Sequence, residues 1–278
     1  MLPEKRGCRE NRAMTGGGNM KKILSVMLCA LLLTTFAAAC APKADSLSKI
    51  EEAGKLVMLT NAEFAPYEYL GANGEVAGID VDICQAIADD LGVQLEVVNM
   101  DFDGLIAAMK SGKGDLVAAG MTVDAERQQN ADFSVTYADA TQIIIVNKTD
   151  PKVTTEADLA GKSIGVQLGT TGDLYVSEEI EGADVRQFKS GLEAAQDLLN
   201  GRLDAVVLDI LPAQGIVDNN SDDLALLEMT STSEQYAIAL PKGDTAFVER
   251  VNSVLEKLIA DGKVAEFTAA HVEATRGA

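Results

Sequence analysis

Residues 80–98, DVDICQAIADDLGVQLEVV, hold the unit that decides the fold. The apolar residues of its first part recur at helical spacing: Ile83, Cys84, Ile87 and Leu91. This spacing predicts a helix over 80–91 with one apolar face, and it predicts that Cys84 is a core residue. The run 94–98 is short, aliphatic and partly β-branched, which is typical of a strand. A helix that passes so quickly into a strand indicates an α/β protein.

The same alternation extends to both sides of this unit. In the first part of the chain, strands are predicted over 55–59 and 115–118 and a helix over 102–110. After an apolar run at 141–147 the alternation restarts, with strands at 162–166, 184–188, 203–208 and 224–227 and helices at 171–179, 191–200 and 210–219. Such alternation with short connections predicts α/β architecture with two mainly parallel sheets, each flanked by helices.

A second β-rich run, 235–240, precedes an apolar helix predicted over 245–260. We expect the chain to leave the first lobe through 141–147 and to return through 235–240, so that the last helices pack on the first lobe. The predicted domains are lobe 1 at 49–141 and 237–278, and lobe 2 at 142–236 with a hinge strand at each end. Two adjacent crossings form a hinge, and closure of two lobes around a ligand is a known switching geometry.

Composition excludes several classes of protein. The 278 residues are 47% hydrophobic and 24% charged, which is globular and long enough for two cores. A net charge of −20 opposes binding to nucleic acid. His271 is the single histidine and is expected to be a solvated tail residue, so a catalytic triad or a multi-histidine metal site is not expected. Only Cys84 lies in the body of the fold, which leaves no disulfide, metal or cofactor to predict.

The N-terminal segment has the features of an export signal. Lys21 and Lys22 precede the apolar run 23–36, and Ala37-Ala38-Ala39 leads directly to Cys40. Cys40 in this position resembles the lipobox cysteine of bacterial lipoproteins, which carries lipid such as palmitate. A retained membrane span is the alternative, although the apolar run is shorter than the roughly 20 residues that cross a bilayer. The predicted segments are an upstream extension at 1–19, a signal peptide at 20–39 and a tether at 40–48.

Aromatic and basic residues follow several predicted strands, where open parallel sheets bind ligands. Phe64 and Phe102 each follow a strand and either stack on a ligand or cap the core. Gly120 allows close approach of the backbone, and Thr122 offers a hydroxyl group. Arg127 can hold a carboxylate through two parallel N–H bonds, or it can form a surface ion pair with a neighbouring acidic residue.

Two further segments belong to the second lobe. At 166–173, VQLGTTGD, a strand passes through glycine into a helix start, which exposes unpaired N–H groups suited to a carboxylate. A plain helix cap by Thr170 is the alternative. Asp209 ends a strand and either holds an ammonium group or caps the following helix. These features suit a zwitterionic amino acid, and no nucleophile with its base occurs among them.

Taken together, these motifs are similar to those of the bacterial extracytoplasmic solute-binding proteins of polar amino-acid ABC transporters, across the mature chain. The matching segments are 61–67, 78–82, 101–105, 112–115, 120–127, 161–172 and 203–209. The resemblance implies a two-lobed periplasmic-binding-protein fold. It further implies that Phe64 and Phe102 sandwich the ligand and that Arg127 holds its carboxylate.

The resemblance also assigns the remaining positions. Gly120, Thr122 and Asp209 would hold the ammonium group, and Thr171 would donate its N–H to the carboxylate. Asn61 and Gln167 match positions that face the ligand side chain. Several relatives that prefer basic or amide ligands have Asp where this chain has Asn61, so a cationic ligand loses one counter-charge. Glu63, two residues away, is expected to replace it. Met121 and Thr170, within the same segments, complete the predicted site.

The predicted function is capture of a free amino acid by hinge closure and delivery to an ABC transporter permease. The protein is expected to be a monomer, lipid-anchored at the outer face of the bacterial membrane or periplasmic, with no enzymatic activity. Two alternatives stay open. One is an amino-acid sensor module, and the other is a dehydratase-like enzyme on the same fold with Glu63 as its acid or base.

Overall fold

The computed structural model of the chain describes residues 46–229 and 233–276. The predicted upstream extension, signal peptide and lipidation site Cys40 lie outside the described residues. The tether predicted over 40–48 is too long, because the first helix already begins at Ser46. Ile50 of this helix is 1% exposed and packs into the main apolar cluster, which explains why the segment is folded.

The elements alternate as the periodicity predicts. In the first part they are α1 (Ser46–Ala53), β1 (Lys55–Thr60), β2 (Glu63–Phe64), β3 (Glu68–Leu70), β4 (Val76–Ala77), α2 (Ile79–Leu91), β5 (Gln94–Asn99), α3 (Leu105–Lys110), β6 (Leu116–Val117), α4 (Arg127–Asn130), β7 (Ala131–Phe133) and β8 (Ala138–Ala140). In the second part they are β9 (Gln142–Asn147), β10 (Ser163–Gln167), α5 (Thr171–Glu179), β11 (Asp184–Phe188), α6 (Gly191–Leu199), β12 (Ala205–Asp209), α7 (Ile210–Asp218), β13 (Leu224–Glu228), β14 (Glu234–Tyr236), β15 (Ala239–Pro241), α8 (Thr245–Ala260) and α9 (Lys263–Ala274). The helix predicted over 102–110 is divided into a short 3₁₀ turn and α3.

Lobe 1 is built on a five-stranded sheet in the order β5-β1-β6-β15-β7. Strand β1 pairs in parallel with β5 and β6, and β15 runs antiparallel to both of its neighbours. The apolar face of α2 packs on this sheet, with Ile83, Cys84 and Ile87 fully buried. The prediction that Cys84 is a core residue is therefore confirmed.

Lobe 2 repeats this plan, with the strand order β11-β10-β12-β9-β13. Strand β10 is parallel to β11 and β12, whereas β9 is antiparallel to β12 and β13. Alternate residues of β9 face opposite sides of the sheet. Ile145 joins the cluster that contains α6, and Ile144 joins the cluster that contains Val176 of α5. Helices thus cover both faces, and the predicted α/β class with mainly parallel sheets is confirmed.

The hinge lies earlier in the chain than the apolar run at 141–147 indicates. Strands β8 and β14 pair with each other as a separate two-stranded antiparallel sheet, with Ala138 opposite Tyr236. The run 142–147 is instead β9, in the interior of the lobe 2 sheet. Its Ile144 and Ile145 are fully buried, as β-branched residues are in a strand covered on both faces. Each crossing strand leads directly into the antiparallel strand of the lobe that it enters.

The C-terminal helix corrects the expectation for His271. Its side chain is 14% exposed rather than solvated. One ring nitrogen lies 2.9 Å from the hydroxyl of Tyr69, and the other lies 2.9 Å from Asp82. These contacts join α9 to α2 and β3 in lobe 1.

None of the helices in the described ranges has both the length and the apolar character that crossing a membrane requires.

Candidate binding site

A narrow cavity lies between the two lobes, at the carboxyl ends of β1, β6, β10 and β12. The lobes are nearly closed on each other there, and a water-sized sphere has only about 10 Å³ in which its centre can move. Lobe 1 and lobe 2 both contribute lining residues: Phe64, Phe102, Gly120, Thr122, Arg127, Gln167, Thr170, Thr171 and Asp209. The structure thus brings together nine of the twelve positions at which ligand contacts are predicted.

Arg127 presents its guanidinium group to this cavity from lobe 1. The group donates to the Thr122 carbonyl oxygen at 2.8 Å and, across the cleft, to the Gly169 carbonyl oxygen at 3.1 Å. It lies 5.4 Å from the ring centroid of Phe102, within cation–π range. Arg127 also forms the ion pair with a neighbouring acidic residue that was considered as the alternative, with Asp124 at 3.1 Å, although its side chain is only 11% exposed. Burial lowers the pKa of Arg127, which remains a cation because arginine titrates far above neutral pH.

The start of α5 faces the cavity from lobe 2. Thr170 is the N-cap of this helix, and its hydroxyl oxygen accepts from the Asp173 amide at 3.2 Å. The capping role considered for Thr170 is therefore present, while the same residue also lines the cavity. A helix N-terminus carries partial positive charge and outward N–H groups. Together with Arg127 it makes this part of the cavity suited to an anion.

Asp209 supplies the opposite charge. It is 4% exposed, and its carboxylate accepts from the Tyr236 hydroxyl at 2.6 Å. Burial, assisted by the nearby charge of Glu234, raises the pKa of Asp209 to about 7. The side chain makes no capping bond to α7, so the alternative of a simple helix cap does not describe it. A partner cation would favour the ionised form of this group.

Glu234, on hinge strand β14, is a functional candidate that the sequence reasoning missed. One carboxylate oxygen accepts from the hydroxyl of Thr122 at 2.6 Å and from that of Thr171 at 2.8 Å. The other oxygen accepts from the side-chain amide of Gln142 at 3.0 Å. Glu234 therefore connects lobe 1, lobe 2 and the hinge in one network. The available signal was an acidic residue at the start of an otherwise buried β-rich run.

Two amide side chains meet across the cleft near the outer strands of both sheets. Gln167 of lobe 2 donates to the side-chain oxygen of Asn61 of lobe 1 at 2.9 Å. Asn61 itself donates to the carbonyl oxygen of Met100, which follows β5, at 2.9 Å. Asn61 is 4% and Gln167 1% exposed, so water does not solvate this contact freely. We refer to Asn61 and Gln167 as the amide pair.

Three predicted residues do not line the cavity. Asn61 is one of them, and it contacts the lining residue Gln167 instead. Glu63 lies in a separate, wider groove beside Leu192 and Pro212, and burial and Glu193 raise its pKa. Met121 is 2% exposed and belongs to the apolar cluster of lobe 1 that contains Leu105 and Met109. The expectation that Glu63 replaces the missing charge at Asn61 is therefore not supported by its placement.

Gly120 has a steric reason to be glycine. Its φ angle is +49°, and a Cβ atom at this position would lie 2.7 Å from the Phe64 ring. Its amide donates at 2.8 Å to Asp80, which also accepts from the Tyr137 hydroxyl at 2.8 Å. Burial raises the pKa of Asp80 to about 6, and burial next to Asp80 raises the pKa of Glu68 well above its usual range. The two carboxyl groups are thus expected to share a proton beneath the cavity wall.

Two lobes that meet around a small, polar, buried cavity and are joined by two short strands define a two-lobed solute-binding protein. The family model "Bacterial extracellular solute-binding proteins, family 3" matches residues 56–274, and the chain belongs to this family. The family predicted from the sequence motifs is thereby confirmed.

Individual relatives agree with this assignment. The chain is 30% identical over 217 residues to the L-cystine-binding protein TcyJ of Escherichia coli K12, covering 78% of this chain and 82% of that protein. The arginine-bound form of truncated ArgBP from T. maritima is 42% identical with a TM-score of 0.73, covering 76% of this chain and 99% of that one. The ancestral amino acid-binding protein AncCDT-1, a precursor of cyclohexadienyl dehydratase, is 32% identical with a TM-score of 0.74, covering 82% and 99%.

Proposed function

We propose that this protein binds a free amino acid outside the cytoplasmic membrane and delivers it to an ABC transporter. The observation that carries the proposal is the charged pair, which we define as Arg127 from lobe 1 and Asp209 from lobe 2. Both line one cavity. A free amino acid carries one carboxylate and one ammonium group, so it complements a buried cation and a buried anion. The names of the relatives, which bind cystine or arginine, support the same ligand class.

The carboxylate of the ligand is assigned to Arg127 and to the first turn of α5, where the Thr171 amide would add a hydrogen bond. The geometry favours this assignment because a guanidinium group and a helix N-terminus both stabilise anions. Contacts from both lobes to one carboxylate give a physical reason for the lobes to close on the ligand.

The ammonium group is assigned to Asp209, the carbonyl oxygen of Gly120 and the hydroxyl oxygen of Thr122. Because Thr122 uses its proton to donate to Glu234, the lone pairs of its oxygen are available as acceptors for the ammonium group. Phe64 and Phe102 would enclose the ligand with their rings, which exclude water and so strengthen the charged contacts.

Closure then follows from motion at β8 and β14. The cavity is lined by both lobes and is too narrow for free entry, so the lobes must separate to admit ligand. In the described structure they are joined across the cleft by Arg127 to Gly169, by the amide pair and by an ion pair between Lys189 and Asp101 at 3.0 Å. A ligand that bridges the lobes adds to these contacts. Micromolar affinity requires about 8 kcal/mol in total.

We further propose that the protein is exported and lipid-anchored and that it is not an enzyme. The N-terminal signal features support export, and Cys40 supports a lipid anchor at the outer face of the membrane. We propose binding without catalysis, since Glu63, the acid or base of a dehydratase-like mechanism, lies in a different groove. A monomer that presents ligand to a permease, rather than a sensor module, fits the family to which the chain belongs.

A thermal-shift screen of the full chain against the twenty amino acids and L-cystine tests the proposal. A ligand at 100 times its Kd stabilises the folded state by about 2.7 kcal/mol, which is a measurable rise in Tm. We expect a concentration-dependent rise in Tm for at least one L-amino acid. We expect no rise for the derivative of that amino acid in which the α-carboxylate is converted to a methylamide. Absence of any rise across the panel would contradict the proposed function.

A further inference from the structure

Gln167 lines the cavity on the side that lies away from the hinge, and Asn61 holds it there without being a lining residue itself. Asn61 directly follows β1 and Gln167 ends β10, and their backbone partners follow the outer strands β5 and β11. Asp209, by contrast, contacts Tyr236 of hinge strand β14. An amino acid whose α-groups are held by the charged pair would therefore extend its side chain toward the amide pair.

The orientation of both amides is fixed by backbone carbonyl groups. The Met100 carbonyl oxygen accepts from Asn61 Nδ2, so Asn61 Oδ1 must face Gln167. Gln167 Nε2 donates to this oxygen at 2.9 Å and to the Lys189 carbonyl oxygen at 3.1 Å. A flipped amide at either residue would place two acceptors, or two donors, against each other. Gln167 Oε1 is consequently the atom that remains for a further contact.

Gln167 Oε1 is buried and has no hydrogen-bond partner among the described residues. A buried acceptor without a partner costs free energy, which a donor on the ligand side chain would recover. An anionic side chain has no proton to donate and would place its oxygens against this one. Glutamate and aspartate are thus disfavoured at the amide pair.

The charges around the cavity also disfavour a cationic side chain. Of the nine lining residues, Arg127 and Asp209 carry the charges, and a zwitterion with a neutral side chain balances them. Glu234 already accepts three hydrogen bonds, from Thr122, Thr171 and Gln142. Asp101 is exposed and paired with Lys189. A guanidinium or ammonium group beside the amide pair would therefore be buried without a counter-charge.

We infer that the ligand of this site is an amino acid with a neutral carboxamide side chain, glutamine or asparagine, which donates through its amide nitrogen to Gln167 Oε1. The inference rests on the proposed function and narrows it. It separates this chain from the arginine-bound relative to which it is similar, since the amide pair supplies hydrogen bonds but no negative charge.

Isothermal titration calorimetry of the full chain tests this inference with L-glutamine, L-asparagine, L-leucine, L-arginine, L-glutamate and L-cystine. We expect glutamine or asparagine to bind at least about tenfold more tightly than the other four, because each of those lacks a neutral amide donor or adds an uncompensated charge. Equal or tighter binding by any of the other four overturns the inference and leaves the proposed function standing. No binding by any of these six, together with no rise in Tm across the thermal-shift panel, contradicts the proposed function as well.

A charge placed at the amide pair provides the second test. Gln167→Glu should lower the ratio of the arginine Kd to the glutamine Kd by at least about tenfold, since it adds a counter-charge and removes an amide. Gln196→Glu makes the same change at an exposed position of α6 and should leave the ratio within about twofold of wild type. Asn61→Asp adds the charge from lobe 1 and covers the case in which Gln167→Glu does not fold. An unchanged ratio in the folded variants would show that the amide pair does not contact the ligand side chain.

Discussion

The charged pair and the amide pair are built on the same plan and differ in chemistry. Each takes one residue from lobe 1 and one from lobe 2: Arg127 with Asp209, and Asn61 with Gln167. The charged pair is complementary to groups that every free amino acid carries. The amide pair is complementary to a side chain. The comparison indicates that affinity for amino acids as a class and selection among them reside in different, separately mutable parts of one cavity.

Arg127→Ala should cause the largest loss, since it leaves the ligand carboxylate buried without its cation and removes the contact to Gly169. Loss of one partner of a buried ion pair costs about 3–5 kcal/mol, or roughly 140-fold to 4,000-fold in Kd. Calorimetry with the amino acid that gives the greatest thermal shift measures it. Arg250→Ala, at an exposed ion pair with Asp90, is the matched control and should bind like wild type.

Asp209→Asn should weaken binding by about tenfold to 100-fold, since a charge-assisted bond to the ammonium group is worth about 1.5–3 kcal/mol. The pH dependence is a sharper sign of the role. The pKa of Asp209 in the free protein is raised to about 7, and the ammonium group requires the ionised form. Affinity should therefore rise by about tenfold from pH 6 to pH 8. Asp209→Asn should abolish this rise, and a rise that persists in the variant would assign it to another group.

Glu234→Gln should have a smaller effect on affinity and a distinct effect on the pH profile. The charge of Glu234 contributes to the raised pKa of Asp209. Removing that charge should lower the pKa of Asp209, so the midpoint of the affinity profile should move below pH 7. Gln235→Glu on the exposed side of the same strand is the control, with the midpoint unchanged. A midpoint that stays near 7 in Glu234→Gln would show that the two carboxylates do not interact.

The smallest effect is expected outside the cavity, at Glu68 beneath Gly120. Burial raises the pKa of Glu68 and of Asp80, so the folded state binds more protons than the unfolded state. Stability from this pair is therefore fully present below the ordinary pKa of Asp, 3.8, and is lost as pH rises through the raised pKa of Asp80, about 6. Glu68→Gln mimics the protonated form and should flatten the fall in Tm between pH 5 and pH 8 while changing Kd by less than about twofold. An equal fall in Tm for wild type and variant would contradict the shared proton.

Local patterns were sufficient to predict most of the elements and the loops that carry the charged pair. The spacing of apolar residues in 80–91 follows from the period of one helix, and Arg127 and Asp209 follow strand ends whose positions the same patterns predict. Such signals depend on neighbours in the chain. They are therefore strong wherever a residue's role is decided by the element on which it lies.

The predictions from sequence are wrong or incomplete where a residue's role depends on contacts with residues that are distant in the chain. Glu234 lies 112 residues from Thr122, and His271 lies 202 residues from Tyr69, so no local pattern connects them. The prediction for Glu63 rests on its proximity to Asn61 in the chain. Glu63 is, however, the neighbour of Phe64 in β2, and because successive strand residues face opposite sides, the strand that directs Phe64 into the cavity directs Glu63 into another groove. The first hinge strand is wrongly predicted at 141–147, because an apolar β-branched run has the same pattern in a crossing strand and in a buried sheet strand.

The central claim is that the charged pair holds the two α-groups of one amino acid. The most direct test is a double-mutant cycle in which one change is made in the protein and the other in the ligand. Calorimetry measures the binding of wild type and of Arg127→Ala, each with the tightest-binding amino acid and with its α-amide, which lacks the carboxylate charge. We predict that amidation weakens binding to wild type by at least about 100-fold and to Arg127→Ala by less than about threefold, because the interaction that it removes is already absent. An equal loss on amidation in both proteins would contradict the account.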